Sequence, residues 1–475
     1  MNRLALILVV ALMHLCWMPL TDAAAPEQQP NVVLILVDDL GWMDLSCQGS
    51  DYFRTPNIDA LANDGIRFTD AYAACAVCSP TRSAIMTGRY PARVGVTDWI
   101  RARFQRGGIG TPSENPTEFV GGPKQKLLCP PNPYWMEHEE VTIAELLAPL
   151  GYASCHVGKW HLGDPEWYPT HQGFDVNVAG CDLGQPPSYF DPYTHERYHF
   201  DGQLEPRKEG EFLTHREADE AAEFIREHKD EPFFLNYCPY AVHTPIQAIE
   251  EVAKTYEREG KSAVNAKYAA LVESVDDAVG TIVGELEKLG LTDRTLVIFT
   301  SDNGGLIGPT NNAPLRSGKG YAYEGGIRVP LIMKWPGVIP AQTTSDEPVM
   351  SIDLLPTIAA ATGATLPSDR TIDGESLLSL VQSGGEEGLE ERVLTWHFPH
   401  YRHAPGPYSI IRSGDWKLIR WDEGPVELYN LDEDLGETKN LSDKLPELRV
   451  ELNAKLDAEL KAQGAKIPVP NPNYR

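Results

Sequence analysis

Basic charge, cysteine and long apolar runs are all scarce in this chain of 475 residues. Lysine and arginine number 41 against 68 acidic residues, a net charge of −27 at pH 7. So acidic a surface excludes nucleic acid as a partner, and any anionic ligand needs a local basic pocket. The 8 cysteines show no zinc-type grouping. Only one apolar run is long: Leu4 to Leu20, preceded by Arg3 and followed by Thr21-Asp22-Ala23-Ala24-Ala25. It reads as a secretory signal peptide over residues 1–25, giving an exported protein, periplasmic or secreted, with no membrane association after cleavage. An uncleaved anchor is the alternative, but the run is near the short limit for spanning and contains His14. Cys16 would leave with the signal. Cys47, Cys75, Cys129, Cys155, Cys181 and Cys238 then remain beside Cys78, and export permits one or two disulfides at most.

Four short, nearly continuous apolar runs are present: Asn31 to Val37, Tyr152 to Val157, Pro232 to Tyr237 and Thr295 to Thr300. This is the pattern of strands buried on both faces of a largely parallel sheet. Amphipathic helices are expected between them at Asn57 to Asn63, Val141 to Leu150, Thr214 to His228, Ala263 to Leu289 and Ser351 to Thr362. The alternation predicts an α/β doubly wound sheet, with ligands beyond the carboxyl ends of the strands. Two long Gly- and Pro-rich loops, Gly107 to Pro133 and Gly180 to Gly210, are expected to shape a cleft. From about Glu391 the pattern changes. Ser409 to Arg412 and Trp416 to Trp421 flank a Ser413-Gly414-Asp415 turn, Val426 to Asn430 offers another strand, and Leu445 to Leu460 has helical spacing. The expected organisation is therefore a catalytic domain over 26–390 and an α+β subdomain over 391–475.

Cys78-Ser79-Pro80-Thr81-Arg82 runs directly into Ser83-Ala84-Ile85-Met86-Thr87-Gly88-Arg89. Pro80 suits the first position of a helix and Ser79 its cap, so Ser79 to Tyr90 reads as a helix opening just after Cys78. Its N-terminal N–H groups would attract a tetrahedral anion. A lone cysteine there could equally be a buried structural residue beside a cap. The whole run resembles the maturation signature of type I sulfatases, in which the cysteine of Cys-x-Pro-x-Arg is oxidised to formylglycine and a Thr-Gly-Arg follows. Met86 stands where that family more often has leucine. The similarity extends over nearly the whole mature chain and is strongest to the arylsulfatase A and N-acetylgalactosamine-6-sulfatase branch. It implies an alkaline-phosphatase-like fold: a large mixed, mainly parallel sheet sandwiched by helices, with a small C-terminal antiparallel sheet plus helix. It also implies a formylglycine-generating enzyme as a maturation partner.

Two apolar runs end in hard oxygen ligands, Asp38-Asp39 and Asp302-Asn303, with no imidazole or thiolate beside them, which suits Ca²⁺ or Mg²⁺ rather than zinc. Asp38-Asp39 alone could be a solvated loop pair or a helix cap. By resemblance, Asp38, Asp39, Asp302 and Asn303 bind one calcium, with an oxygen from the modified Cys78; calcium is preferred over magnesium. Sulfate ester hydrolysis also needs a nucleophile, charge stabilisation and an acid for the leaving oxygen. Lys159 and His161 stand in Gly158-Lys159-Trp160-His161-Leu162-Gly163, His243 in His243-Thr244-Pro245, and Lys319 in Ser317-Gly318-Lys319-Gly320, ahead of Glu324-Gly325-Gly326-Ile327-Arg328-Val329-Pro330. These blocks look like the corresponding sulfatase motifs. The resemblance assigns Cys78 as nucleophile once modified and Arg82 as its electrostatic partner, with Asp302 a candidate base. Lys159 would hold sulfuryl oxygens, His243 and Lys319 would protonate the leaving oxygen, and His161 would act as base in sulfate release.

The implied substrate is a sulfated carbohydrate, with galactose or N-acetylgalactosamine units of a polysaccharide the leading expectation. Candidate substrate-binding residues are Asp98, Trp99, Arg101, Arg103, His171 and His397, with Trp396 and His400 nearby; Trp99 would stack on a sugar ring and the arginines would pair with anionic groups. The same residues would also serve as core aromatics and surface charges. Two other functions compete. One is a phosphonate or phosphodiester hydrolase of the same superfamily, the other a silent carbohydrate-binding protein if Cys78 stays unmodified.

Overall fold

Strand β1 (Asn31–Val37) is apolar at every position after its first and buried throughout, as a strand covered on both faces must be. The computed structural model describes residues 29–107 and 110–475; the signal segment expected at 1–25 lies outside them. β1 sits inside an eight-stranded sheet with β2 (Ile66–Phe68), β3 (Ala153–Gly158), β4 (Val176–Val178), β5 (Phe233–Cys238), β6 (Thr295–Ser301), β7 (Leu331–Lys334) and β8 (Thr343–Ser345). The strand order is β8-β2-β7-β6-β1-β5-β3-β4. β1 pairs in parallel with β5 and β6, as β5 does with β3, whereas β7 runs antiparallel to both β2 and β6. The sheet is therefore mixed and mainly parallel.

Alternation along β1 explains the layers. Val33, Ile35 and Val37 pack into the cluster holding Ile225 of helix α3 (Leu213–Glu227) and Leu271 and Val275 of helix α4 (Ala263–Lys288). Val32, Leu34 and Leu36 pack on the opposite face with Ile85 and Met86 of helix α2 (Cys78–Thr87) and Leu355 and Ile358 of helix α5 (Leu354–Thr362). A shorter helix, α1 (Pro56–Asn63), lies on the first face through Ile58 and Leu61. The period-2 pattern of one strand thus feeds two separate cores.

Beyond this sheet, β9 (Val393–Phe398), β10 (Tyr408–Ser413), β11 (Trp416–Trp421) and β12 (Val426–Asn430) form an antiparallel sheet in chain order, and helix α6 (Pro446–Ala462) packs on it through Leu452, Leu456 and Leu460. The sequence pattern missed β9. The cysteine expectation resolves simply: all seven described cysteines are free thiols, including Cys75 and Cys78, which stand at Cys-x-x-Cys spacing. No helix among the described residues is long and apolar enough to cross a membrane.

Candidate active site

The site is built where neighbouring parallel strands end together. Val37 and Ser301 are in register, so Asp38 and Asp302 leave β1 and β6 side by side. Asp39 takes a left-handed backbone (φ 62°), a conformation disfavoured for a non-glycine residue and retained where surrounding structure enforces it. Its N–H donates to Asp302 Oδ1 at 3.2 Å, and Asn303 Nδ2 donates to Asp39 Oδ1 at 2.9 Å. Gly304 then lets the loop pass the backbone of Gly325; a Cβ there would meet Gly325 O at 1.8 Å. The glycine pair inside Glu324-Gly325-Gly326 is set by the facing loop, since a Cβ at Gly325 would meet Arg316 O and Ser317 O at 2.5 Å and one at Gly326 would meet Tyr321 O at 2.2 Å.

All four metal candidates are buried, and three of their oxygens have no hydrogen-bond partner: Asp38 Oδ1, Asp39 Oδ2 and Asn303 Oδ1. An orphaned buried acceptor costs about 1–3 kcal/mol. Ligand atoms of Asp38, Asp39 and His243 lie within 4.8 Å of one another. Unpartnered carboxylate and amide oxygens of this kind fit a hard divalent cation.

Three cationic side chains offset the remaining charge. Lys159 Nζ donates to Asp38 Oδ2 at 2.7 Å and Lys319 Nζ reaches Asp39 Oδ1 at 2.6 Å. Arg82 spans the floor: Nε donates to Asp302 Oδ2 at 2.8 Å, Nη1 to Lys159 O at 2.7 Å, and Nη2 lies 3.9 Å from Asp38 Oδ1. Burial drives the Asp38 carboxyl well above its ordinary range despite Lys159. Asp39 is held below the ordinary range because Lys319 and His243 outweigh its burial, and Asp302 likewise because Arg82 and Lys159 outweigh its own. Asp302 therefore sits as an ionised group engaged by Arg82 on one oxygen and Asp39 N on the other, a poor arrangement for a base.

Helix α2 begins at Cys78 itself, with Val77 at the cap position and Pro80 as the third helical residue. This corrects the expected Ser79 cap. Ser79 Oγ instead donates to His161 O and accepts from Ile100 N, both at 3.0 Å, tying the helix to the two segments beside it. Cys78 Sγ is 3.4 Å from His161 Nδ1. His161 Nε2 is 2.7 Å from Ile100 O, an acceptor, so Nε2 carries the proton and Nδ1 is left free to accept from position 78. His243 Nδ1 donates in the same way to Thr244 O at 2.9 Å, leaving Nε2 toward Asp39 Oδ2 at 3.7 Å. Burial lowers both imidazoles, His161 strongly, with Lys159 adding to it, and His243 to about 3, with Lys319 adding to it. Cys78, His161, His243 and Lys319 line one cavity of about 200 Å³ together with Trp99, Phe104, Gln105, Gly184, Gln185 and Arg402.

The chain is matched by known proteins. The family model described as Sulfatase matches residues 30–364, and one described as N-sulphoglucosamine sulphohydrolase, C-terminal, matches 317–466. The chain belongs to the sulfatase family. It is a sulfuric ester hydrolase. The sulfatase is 36% identical to N-acetylgalactosamine-6-sulfatase of Sus scrofa over 78% of this chain and 69% of that protein. It is 32% identical to arylsulfatase A of Homo sapiens over 89% of this chain and 85% of the other. Among solved structures it is similar to Ps i-CgsB in complex with k-i-k-neocarrahexaose, with TM-score 0.76 and 31% identity, covering 91% of this chain and 93% of that one.

The remaining candidates of this sulfatase divide by position. Trp99 is on the cavity wall, and Asp98, Arg101 and His400 line an adjoining cavity of about 430 Å³. Arg103 turns away, pairing with Asp182 at 3.2 Å and Asp201 at 2.6 Å. His171 is exposed at the end of a short helix, outside both cavities. His397 is buried between Ser409 Oγ and Lys466 O, and Trp396 donates to Ala73 O in the core. Lys159 and Arg82 lie behind the carboxylates and off the cavity wall. Sequence reasoning missed Arg402, Phe104, Gln105 and Gln185. The available signal for Arg402 was a polar, aromatic segment, His400-Tyr401-Arg402-His403, interrupting two apolar strands.

Proposed function

We propose that this sulfatase is exported and removes sulfate esters from carbohydrate, with galactose or N-acetylgalactosamine units of a polysaccharide as substrate, using formylglycine at position 78 and one calcium ion. The observation that carries the reading is the placement of Cys78 Sγ on the cavity wall, 3.4 Å from a proton-accepting His161 Nδ1 and beside three unpartnered acid and amide oxygens. Asp38, Asp39, Asp302 and Asn303 would hold the metal, with an oxygen of residue 78. When present, the hydrated aldehyde supplies the attacking oxygen and the release route for sulfate, and the calcium supplies fixed positive charge beside the sulfuryl oxygens.

The chain's own groups do the rest. His161 accepts a proton at Nδ1 because Nε2–H is committed to Ile100 O. His243 presents Nε2 to the cavity as an acceptor because Nδ1–H is committed to Thr244 O, so the proton for the departing alcohol comes from the Lys319 ammonium beside it. Arg82 keeps Asp302 ionised and fixes the Lys159 backbone, and Lys159 fixes Asp38. The carbohydrate assignment is supported by the relatives: one is a sulfatase of N-acetylgalactosamine 6-sulfate by name, another was solved with a neocarrahexaose.

The test is sulfate release from a panel of monosulfated galactose, N-acetylgalactosamine and glucosamine sugars, by protein co-expressed with a formylglycine-generating enzyme, with a Cys78→Ala control and the peptide mass around position 78. Release by the matured protein alone supports the reading. Faster phosphate or phosphonate ester cleavage replaces it with the hydrolase alternative. Confirmed formylglycine with no turnover on sugars, polysaccharides or phosphate esters leaves a silent binding protein. Cys78→Ser should abolish or trap turnover.

A further inference from the structure

The two cavities share their walls. Asp98, Trp99 and Arg101 come from one segment and His400, Tyr401 and Arg402 from another, and each segment contributes to both the Cys78 cavity and its 430 Å³ neighbour. Asp98 is 8% exposed and its Oδ1 has no hydrogen-bond partner, although it lines the second cavity. Two guanidinium groups act on that carboxylate, those of Arg101 and Arg402. Both arginines are exposed, and neither forms a salt bridge among the described residues. Arg101 stacks over Trp99 at 4.9 Å. Arg402 is seated by Gly320, next to Lys319: a Cβ at Gly320 would lie 2.3 Å from Arg402 Nε. In a chain of net charge −27, two guanidinium groups free of salt bridges among the described residues, Arg402 on the wall of the Cys78 cavity and Arg101 on that of its neighbour, form a local exception.

We propose that the second cavity is a subsite for the sugar next to the one that loses its sulfate, and that it selects a neighbour carrying an anionic group. Arg101 from its own wall and Arg402 from the adjoining wall of the Cys78 cavity donate to that anion, and Asp98 Oδ1 accepts from a ring hydroxyl of the same unit. The preferred substrate is then an oligosaccharide or polymer with a second negative charge, a carboxylate or a further sulfate ester, in preference to a monosaccharide sulfate. This rests on the sulfatase reading of the Cys78 cavity.

The test uses three trisaccharides with the same sulfated terminal unit, whose neighbour carries a uronate carboxylate, a second sulfate ester or hydroxyls only. Binding to full-length Cys78→Ala protein by calorimetry needs no turnover. At least one charged sugar should bind about tenfold tighter than the neutral one, and the stronger of the two names the anion. That preference should weaken with added salt. It should fall to within about twofold in Arg101→Ala/Arg402→Ala and be partly kept in the double lysine variant. Asp98→Asn should weaken the neutral sugar several-fold. Equal binding of all three sugars, or a preference that survives the double alanine change, overturns the proposal. Sulfate release from a small aryl sulfate by matured wild-type enzyme, run alongside, reports the catalytic reading separately: its failure removes the catalytic reading, while the binding ratios still decide the subsite.

Discussion

Asp38, Asp39 and Asn303 each hold a buried oxygen with no donor, so ligand loss at this point should register in stability as well as in rate. Calcium added to chelator-treated protein at about 100 times its dissociation constant should stabilise the fold by about 2.7 kcal/mol. A rise in melting temperature that is absent in Asp39→Asn is the expected result; an equal rise in both would place the ion elsewhere. A second residue-scale prediction concerns Gly184, where a Cβ would come within 2.5 Å of His161 Cε1. Gly184→Ala should shift the His161 imidazole away from position 78 and lower kcat by tenfold or more, with the melting temperature changed by only a few degrees, as stopped assays and calorimetry on the same sample would show. At this scale the sequence exposed those side chains that sit in short blocks at strand ends, such as Asp38-Asp39 and Lys159-Trp160-His161. It concealed Arg103, whose partners Asp182 and Asp201 lie far along the chain, because an ion pair across a fold leaves no local pattern.

Helix α2 depends on a contact that its own sequence disguised. Ser79 looked like a cap, yet it bridges His161 O and Ile100 N, two backbone groups from different segments. Ser79→Ala should strand both in a buried place and cost about 1–3 kcal/mol, lowering the melting temperature and, through the displaced His161 loop, kcat. An unchanged melting temperature would show that water replaces the hydroxyl. The four central strands were readable to within one residue at either end because each is a continuous apolar run bounded by polar turns. β7 and β8 were not read. They have only four and three residues, too few to establish a period, and β9 mixes Thr395, Trp396 and His397 into a pattern without clean alternation.

For the whole molecule, the joint between the large domain and the C-terminal sheet combines an apolar cluster with a buried ionic one. Lys417 Nζ of β11 reaches Glu324 Oε1 at 2.9 Å and Glu437 Oε1 at 2.8 Å, and Glu324 also accepts from Arg328 Nε at 2.8 Å. Lys417→Met should cost about 3–5 kcal/mol, since it leaves two acids sharing one buried space. Burial pushes Glu437 up to about 7, while Lys417 and Arg328 outweigh burial at Glu324 and hold it at about 2. The signs are opposite. Glu437 binds its proton more tightly in the folded protein, so its contribution falls as pH rises from its ordinary 4.5 through about 7. Glu324 contributes above 4.5 and loses that contribution as pH falls toward about 2. Denaturation midpoints of wild type and Glu437→Gln should therefore differ in slope between pH 5 and 8, with the wild type losing more; parallel slopes would rule out titration of Glu437 in that range. The Glu-Gly-Gly-Ile-Arg block was readable as a motif, but its ionic partners were not, because Lys417 lies on the C-terminal sheet and Glu437 in the loop after it, both far along the chain.

The position of β1 also fixes an order of events. It is the first described strand, yet both its sheet neighbours, β5 and β6, are encoded some two hundred or more residues later. At ordinary rates of synthesis, roughly 5–20 residues per second, the interval before β5 emerges is on the order of ten to forty seconds. Through that interval a strand apolar at every position after its first has no lateral partner, which is the condition in which nascent chains aggregate or recruit holding factors. The cell must therefore carry this protein through a waiting period set by topology alone, and a ribosome stalled before residue 233 would release a chain in which β1 has neither of its sheet neighbours.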